Sequence, residues 1–367
     1  MPFAKAAEML ARFTQASVST STAQRHTETI GLAYEAVQLA EVEQIERDWP
    51  AVPAGPEKLL LSMDGAFVPI VHGEWTEVKT LVVGEVGEPH EVKGERVVPT
   101  INLSYFSRLS EAEAFQRLTL GEVHRRGLET AAEVASVSDG AEWIQGFVEY
   151  HCPEALRILD FAHAAERICQ IGEVVLGRGH ASLAAWQQRQ LHQLKHTGPS
   201  DLLASLRSFA KEQLSDERVA GNLAYLEKRE EQIEYARFQA AGWPIGSGIV
   251  ESANKVVVEA RLKGAGMHWA RASVNPLLSL RNAVCNDRWE EAWQQSVWRL
   301  RQFGVVRRAV QPKQLVGAEG AKPAVALVAP VASEAAPEAA VARKPSANHP
   351  WRRTNYATKA RMAQASG

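Results

Sequence analysis

The chain has 367 residues, 46% of them hydrophobic and 23% charged, with 41 Lys plus Arg against 43 Asp plus Glu and a net charge of −2. At about 150 residues per domain this predicts two to three units of soluble, core-forming composition. It excludes a globally basic DNA-coating protein, so any nucleic-acid contact must come from local basic patches. No apolar run approaches the roughly 18 residues of a membrane span, and no signal-peptide core follows Met1. Cys152, Cys169 and Cys285 are odd in number and share no metal-ligand spacing, which disfavours both a disulfide framework and a zinc knuckle. A reduced, cytoplasmic protein is expected.

Residues 4–47 are helical in pattern with a break near Thr14 to Ser21, and Ser19 is the expected N-cap of the second helix. Two helices around a turn suggest half of a helix-turn-helix. With Lys5, Arg12, Arg25 and Arg47 as the bases among several glutamates, the plainer reading is a helical lead-in, residues 1–50, packed on the next domain. Asp48-Trp49-Pro50 and Pro53 to Pro56 mark a boundary.

From Leu59 the period changes. Leu59 to Met63 is an apolar run ending on Asp64-Gly65, Val68 to Val71 continues extended, and Thr76 to Val86 is rich in β-branched residues. Arg96 to Leu103 reads as a further strand, and Ser110 opens a helix running to about Arg126. Val134 to Ser138 repeats the first motif, a buried-looking strand followed by Asp139-Gly140. A short helix from Ala141 to Tyr150 and a strand from Leu156 to Leu159 close the series before Asp160. This alternation predicts an α/β fold, a mixed sheet with helical cover. Residues 161–241 read as a helical insertion with a break at Gly198-Pro199-Ser200, and residues 242–310 as a loop and further helices, with Trp143, Trp289 and Trp293 in the core.

Ala318 to Ala342 is rich in Ala, Pro and Val without an amphipathic period, as a disordered linker would be. Arg343 to Arg361 carries six bases (Arg343, Lys344, Arg352, Arg353, Lys359 and Arg361) and no acid. Such a tail suits phosphate backbones, although it also serves solubility alone.

Asp-Gly is a common turn pair, so Asp64 and Asp139 taken singly are punctuation. Taken together they end apolar strands expected to be neighbours in one sheet, where reactive groups cluster. The third member is Glu251, one turn into the helix that follows Gly246-Ser247-Gly248. Three converging carboxylates repel one another unless a hard divalent cation resolves the conflict. Two such cations can activate water or a 3′-hydroxyl and stabilise the leaving oxygen of a phosphodiester. The glycine loop lacks the preceding strand and Gly-Lys-Ser/Thr ending of a nucleotide cradle, and reads as a flexible helix start.

Downstream of Glu251 come Lys255, Arg261, Lys263, His268, Trp269 and Arg271. Lys255 lies four residues from Glu251 on the same helix face, set either to meet a DNA phosphate or to form an intrahelical ion pair. His268 and Trp269 are candidates for stacking on an unpaired base, with core packing the stronger reading for Trp269. Asp160 stands at a helix N-terminus, where a negative charge is favourable, and His163 comes one turn after it.

The set Leu61-Ser62-Met63-Asp64-Gly65, Val137-Ser138-Asp139-Gly140, Leu159-Asp160-Phe161-Ala162-His163 and Gly246-Ser247-Gly248-Ile249-Val250-Glu251-Ser252 resembles the DDE transposases of bacterial insertion sequences, and within them the ISKra type. Arg261 to Trp269, Leu280-Arg281-Asn282, Asn286 to Trp289 and Asn348 to Arg352 extend the resemblance over about residues 55–355. It implies an RNase H-like core split by the helical insertion, with Asp64, Asp139 and Glu251 holding two Mg2+ ions, for which Mn2+ would substitute. It also implies a C/D-x-x-H motif, matched by Asp160 and His163, in a supporting role. Double-stranded DNA, both element ends and target, is the implied partner, bound by a homo-oligomer in the nucleoid. A longer DNA-binding region is usual at the front of such proteins, and Arg12 to Gly31 resembles its end.

The expected function is therefore metal-dependent DNA cleavage and 3′-hydroxyl strand transfer, with Lys255, Arg261, Lys263, His268, Trp269, Arg271, Arg352 and Arg353 on DNA. A catalytically silent, transposase-derived DNA-binding protein is the first rival. A two-carboxylate glycosidase is the second, against which the basic helix and tail argue.

Overall fold

The structure is a computed structural model that describes residues 1–92 and 95–302. The expected linker and basic tail, residues 311–367 with Arg352 and Arg353, lie outside the described residues. Two helices, α1 (Phe3–Thr14) and α2 (Thr20–Asp48), open the chain. Gln15 turns left-handed between them, and the Ser19 hydroxyl accepts from Thr22 N–H at 3.1 Å as the N-cap.

The strands come next: β1 (Lys58–Pro69), β2 (Trp75–Val86), a small hairpin of β3 (His90–Val92) and β4 (Glu95–Val97), and β5 (Thr100–Arg108). The single strand expected over 96–103 is thus two, parted before Pro99, which has no N–H to give a ladder. Helices α3 (Ala112–Leu118) and α4 (Leu120–Arg125), strand β6 (Glu133–Ser138), helix α5 (Glu142–His151) and strand β7 (Leu156–Leu159) complete this half. The sheet order is β5-β2-β1-β6-β7, with β2 antiparallel to β1 and β5, and β1, β6 and β7 mutually parallel. That order and those directions are the RNase H-like arrangement that the resemblance implied.

The alternation of β1 sorts its side chains to two faces. Leu59, Leu61 and Met63 pack with Val42 and Ile45 of α2, Phe115, Leu120 and Phe147. Leu60, Ala66 and Val68 face the helices of the second half, and Ser62 and Asp64 lie between them on that same face.

That second half consists of α6 (Phe161–Leu176), α7 (Leu183–His196), α8 (Pro199–Phe209), α9 (Glu217–Glu227) and α10 (Tyr235–Ala240). The loop then gives way to α11 (Gly248–Ala253), a π-helical stretch (Asn254–Glu259), α12 (Ala260–Leu262), α13 (Arg271–Cys285) and α14 (Trp289–Gln302). The expected break at Gly198-Pro199 is present, with Gly198 at φ 120° and Pro199 in the first turn of α8.

The lead-in is built into the core. A Cβ on Gly31 of α2 would strike the Pro276 backbone of α13, so glycine permits that close crossing. The Ser279 hydroxyl donates to Gly31 C=O at 2.9 Å. Arg108, 1% exposed at the end of β5, donates from Nη2 to Gln38 Oε1 at 2.6 Å and sits 3.6 Å from Glu35.

The open edge of β5 is closed by side chains. Asn286, just past α13, and Asn282 and Asn275 within it each accept from and donate to the backbone of one residue, Tyr105, Ser107 and Leu109 in turn, at 2.8–3.1 Å. These are alternate residues along the outer edge, so three amides stand in for a neighbouring strand.

Trp289 and Trp293, expected in the core, are instead each 43% exposed and stacked on one another with ring centroids 6.0 Å apart. The inward face of α14 is Ala292 and Ser296, small residues that let the helix close on α2 and leave the indoles outside. No helix among the described residues is long and apolar enough to cross a membrane.

Candidate active site

Asp64 is not at a strand end. It lies in the middle of β1 opposite Thr80, and Gly65 continues the ladder opposite Lys79, because β2 is as long as β1 and pairs with it throughout. A Cβ on Gly65 would meet the Glu77 carboxylate, the movable end of a partly exposed side chain. The Asp64 carboxylate is held at both oxygens. Gly65 N–H donates to Oδ1 at 2.7 Å and Asn254 Nδ2 donates to Oδ2 at 2.9 Å.

Asp139 comes directly after β6, the parallel neighbour of β1, and the register of that pair sets it level with Asp64. Its Oδ1 accepts from Ala141 N–H at 2.9 Å, an Asx turn. Gly140 takes φ 78°, and a Cβ there would meet Arg229 and Tyr225 of the helical insertion. These two side chains brace the turn: Tyr225 Oη donates to Asp139 C=O, Arg229 Nη2 donates to Gly140 C=O at 2.7 Å, and the guanidinium lies 3.9 Å from the Tyr225 ring centroid.

The Asp139 charge is felt at Asp64. Burial pushes the Asp64 carboxyl above the usual carboxylate range and the Gly65 N–H pulls it back; the Asp139 charge adds to the rise, while Asn254 and His163 oppose it. Half-buried His163, in the first turn of α6, is therefore part of the same neighbourhood.

Asp160 has a different task. Its Oδ1 accepts from Ala162 and His163 N–H at 2.7 and 3.2 Å, capping α6, and its Oδ2 accepts from Ser247 N–H at 2.5 Å. Phe161 N–H adds a bond to Ile245 C=O at 2.9 Å. With Asp160 only 3% exposed, its carboxylate is wholly engaged, Oδ1 in capping α6 and Oδ2 in fastening the 245–247 loop, and hence the start of α11, to the end of β7.

Glu251 is exposed on α11, and among the described residues no group of three or more His, Cys, Asp or Glu side chains is set to hold a metal ion. The helix instead brings Asn254 to Asp64. Of the expected DNA contacts, Lys255, Lys263, His268 and Arg271 are exposed. Lys263 pairs with Glu259 at 2.8 Å. Arg261 is only 9% exposed, its guanidinium 4.5 Å from the Phe3 ring centroid and 4.8 Å from that of Trp269. Trp269 is 7% exposed and donates from Nε1 to Leu262 C=O at 2.9 Å, so it is core. Its backbone bridges to the end of β1, with Trp269 N–H to Pro69 C=O at 3.1 Å and Val71 N–H to Trp269 C=O at 3.0 Å. The exposed 263–268 loop is thereby tethered at the strand that carries Asp64.

Sequence reasoning missed Asn254, Tyr225 and Arg229. Asn254 had a visible signal, an amide in the buried stripe Val250, Ala253, Val257 and Val258. Nothing local marked Tyr225 or Arg229, whose partners lie more than eighty residues away.

No family model matches the sequence, and no curated protein matches it. Among solved structures the chain is similar to the Drosophila P element transposase strand transfer complex, at 12% identity over 72% of this chain and 70% of that one, with a TM-score of 0.21. At that score the RNase H-like assignment rests on the strand order and directions themselves.

Proposed function

We propose that the chain is a DNA transposase of the DDE type, performing metal-dependent phosphodiester cleavage and 3′-hydroxyl transfer at Asp64, Asp139 and Glu251. The observation that carries this reading is the pairing of β1 with β6, parallel and adjacent, whose register sets Asp139 level with Asp64, near enough for its charge to act there. What supports a hard divalent cation here is oxygen chemistry: beside the Asp64 carboxylate lies a buried amide oxygen, Asn254 Oδ1, without a partner. A bound cation, Mg2+ or Mn2+, would supply a deprotonated attacking hydroxyl and stabilise the leaving oxygen.

The chain's own groups do the holding. Gly65 N–H and Asn254 Nδ2 fix both oxygens of Asp64, and Ala141 N–H with the Tyr225–Arg229 brace fixes Asp139. Asp160 fastens the root of the helix that bears Glu251. Lys255, His268 and Arg271, all exposed, are the bases assigned to DNA phosphates in this reading. Lys263 reaches one only by leaving Glu259, and Arg261 supports the loop from beneath.

The test is nicking of supercoiled plasmid by the purified chain with and without Mg2+, beside Asp139→Asn. Mg2+-dependent nicking by the wild type that falls to background in the variant, with duplex binding retained and weakening steeply with salt, is the expected result. Nicking retained in Asp139→Asn overturns the site. Salt-sensitive binding with no nicking by the wild type supports the catalytically silent reading instead.

A further inference from the structure

Asn254 stands out among the buried polar side chains. It is 5% exposed, it occupies a stripe of Val250, Ala253, Val257 and Val258 that otherwise seals a helix onto the sheet, and only half of its amide is used. Nδ2 donates to Asp64 Oδ2 at 2.9 Å, whereas Oδ1 is buried without a hydrogen-bond partner. The orientation of the amide is fixed, because a flip would set Oδ1 against a carboxylate oxygen. A buried acceptor left open in this way calls for a water or an ion as its partner. Asn254 also begins the π-helical stretch, a departure from α-geometry that is frequent at functional sites.

We infer that Asn254 is a cation ligand of the carboxylate site, its Oδ1 supplying a neutral oxygen to a divalent cation held with Asp64 and Asp139 while its Nδ2 keeps Asp64 in place. This rests on the proposed metal-dependent function and adds to it a residue outside the Asp64, Asp139 and Glu251 trio. An amide oxygen suits the position chemically. Hard divalent cations accept Asn carbonyl oxygens alongside carboxylates. A neutral ligand adds coordination without adding to the repulsion already felt between Asp64 and Asp139. It also gives the site a third oxygen from the described fold, where no third acid is set to serve.

The experiment is Mn2+ titration of the purified full chain, with bound ion counted by electron paramagnetic resonance and no DNA present. Wild type, Asn254→Leu, Asn254→Asp and Asp64→Asn run in parallel, with circular dichroism as the check on folding. Asn254→Leu matches the shape and removes both polar atoms, so Mn2+ affinity is expected to fall at least about 10-fold. Asn254→Asp restores an oxygen while losing the donor, and is expected to bind Mn2+ at least as tightly as the wild type. Weakened binding in Asn254→Asp would make Asn254 a hydrogen-bond donor to Asp64 and nothing more, which overturns the inference, and this arm decides even if Asn254→Leu fails to fold. Wild-type affinity in Asn254→Leu with binding lost in Asp64→Asn overturns the ligand role and leaves the carboxylate site standing. Wild-type affinity in Asp64→Asn removes both.

Discussion

The helices after the insertion bring asparagines to the sheet in two places, and the two places are built differently. At the β5 edge, Asn275, Asn282 and Asn286 each use both halves of the amide on the backbone of one strand residue. At the centre, Asn254 uses its donor on Asp64 and leaves its acceptor open. Burial is comparable at Asn282 and Asn254, at 2% and 5% exposure, so the contrast lies in satisfaction and not in depth. A fully engaged buried amide acts on folding alone, since nothing remains with which to take a ligand. An open one keeps a place for something the chain does not supply.

The largest effect that could break this contrast is at Asn282. Replacing it with Leu strips Ser107 of both backbone partners in a buried setting, at about 1–3 kcal/mol for each group left unsatisfied and so about 4 kcal/mol in all. Urea denaturation reads this directly, and Mn2+ affinity should not move in the fraction that folds. Asn275→Leu and Asn286→Leu should cost less, because these positions are only half-buried and water reaches the freed groups. A loss below about 1 kcal/mol at Asn282 would mean that the edge is held by apolar packing and that the amides are incidental.

On the opposite face of the sheet His151 offers a sharper version of the same rule. Its ring packs 4.6 Å from that of Phe147, and Nε2 lies 2.8 Å from Gln116 C=O, the neutral tautomer donating. Burial lowers its pKa from the ordinary 6.5 to about 4, against a smaller opposing effect of the Gln116 carbonyl. The sign depends on which state takes the proton. Above pH 6.5 the ring is neutral folded and unfolded, and His151 makes no pH-dependent contribution. Between pH 6.5 and 4 the unfolded chain is protonated and the folded one is not, so stability falls through that window and levels off below it. The full drop is about 3 kcal/mol. Urea midpoints at pH 7.5 and 4.5 should therefore converge for His151→Gln relative to the wild type. Parallel profiles for the two would assign the acid loss to other groups.

The long strands β1, β2 and β6 were readable because each is a β-branched or apolar run, and the mixed sheet came from their alternation with helices, whereas the short β3 and β4, His90-Glu91-Val92 and Glu95-Arg96-Val97, carry no such run. What escaped was set by tertiary register. Asp64-Gly65 has the form of a turn, yet β2 supplies a partner to every residue of β1 across it. Trp289 and Trp293 have the bulk of core residues, yet α2 approaches α14 on its Ala292 and Ser296 side, where only small side chains fit. The asparagines of α13 and its C-cap recur at spacings of seven and four, one helix face, but no local signal names the strand edge they clasp. Asp64, Asp139 and the helix start at Asp160 were accessible as motifs, whereas the bond from Asp160 to the 245–247 loop was not. The amide among the valines at Asn254 is equally visible, but a search for carboxylates passes over it.

Two neighbouring bases at the end of α9 set the lower limit of the scale. Arg229 is 7% exposed, stacks on Tyr225 and donates to Gly140 C=O at 2.7 Å, in the turn that aims Asp139. Lys228, one residue earlier, reaches Glu142 at 2.6 Å with both side chains largely in solvent. The shapes of the two contacts differ more than their distances. A planar guanidinium can stack and donate at once, and an ammonium in the same place cannot, so Arg229→Lys should cost about 2 kcal/mol. Because the lost contact is on the Asp139 turn, this variant should also weaken Mn2+ binding. An exposed pair gains little once water competes for both charges, so Lys228→Ala should leave the thermal midpoint and the Mn2+ affinity where they were. Equal losses in the two variants would show that charge near the turn, and not the stacked and hydrogen-bonded brace, is what holds Asp139.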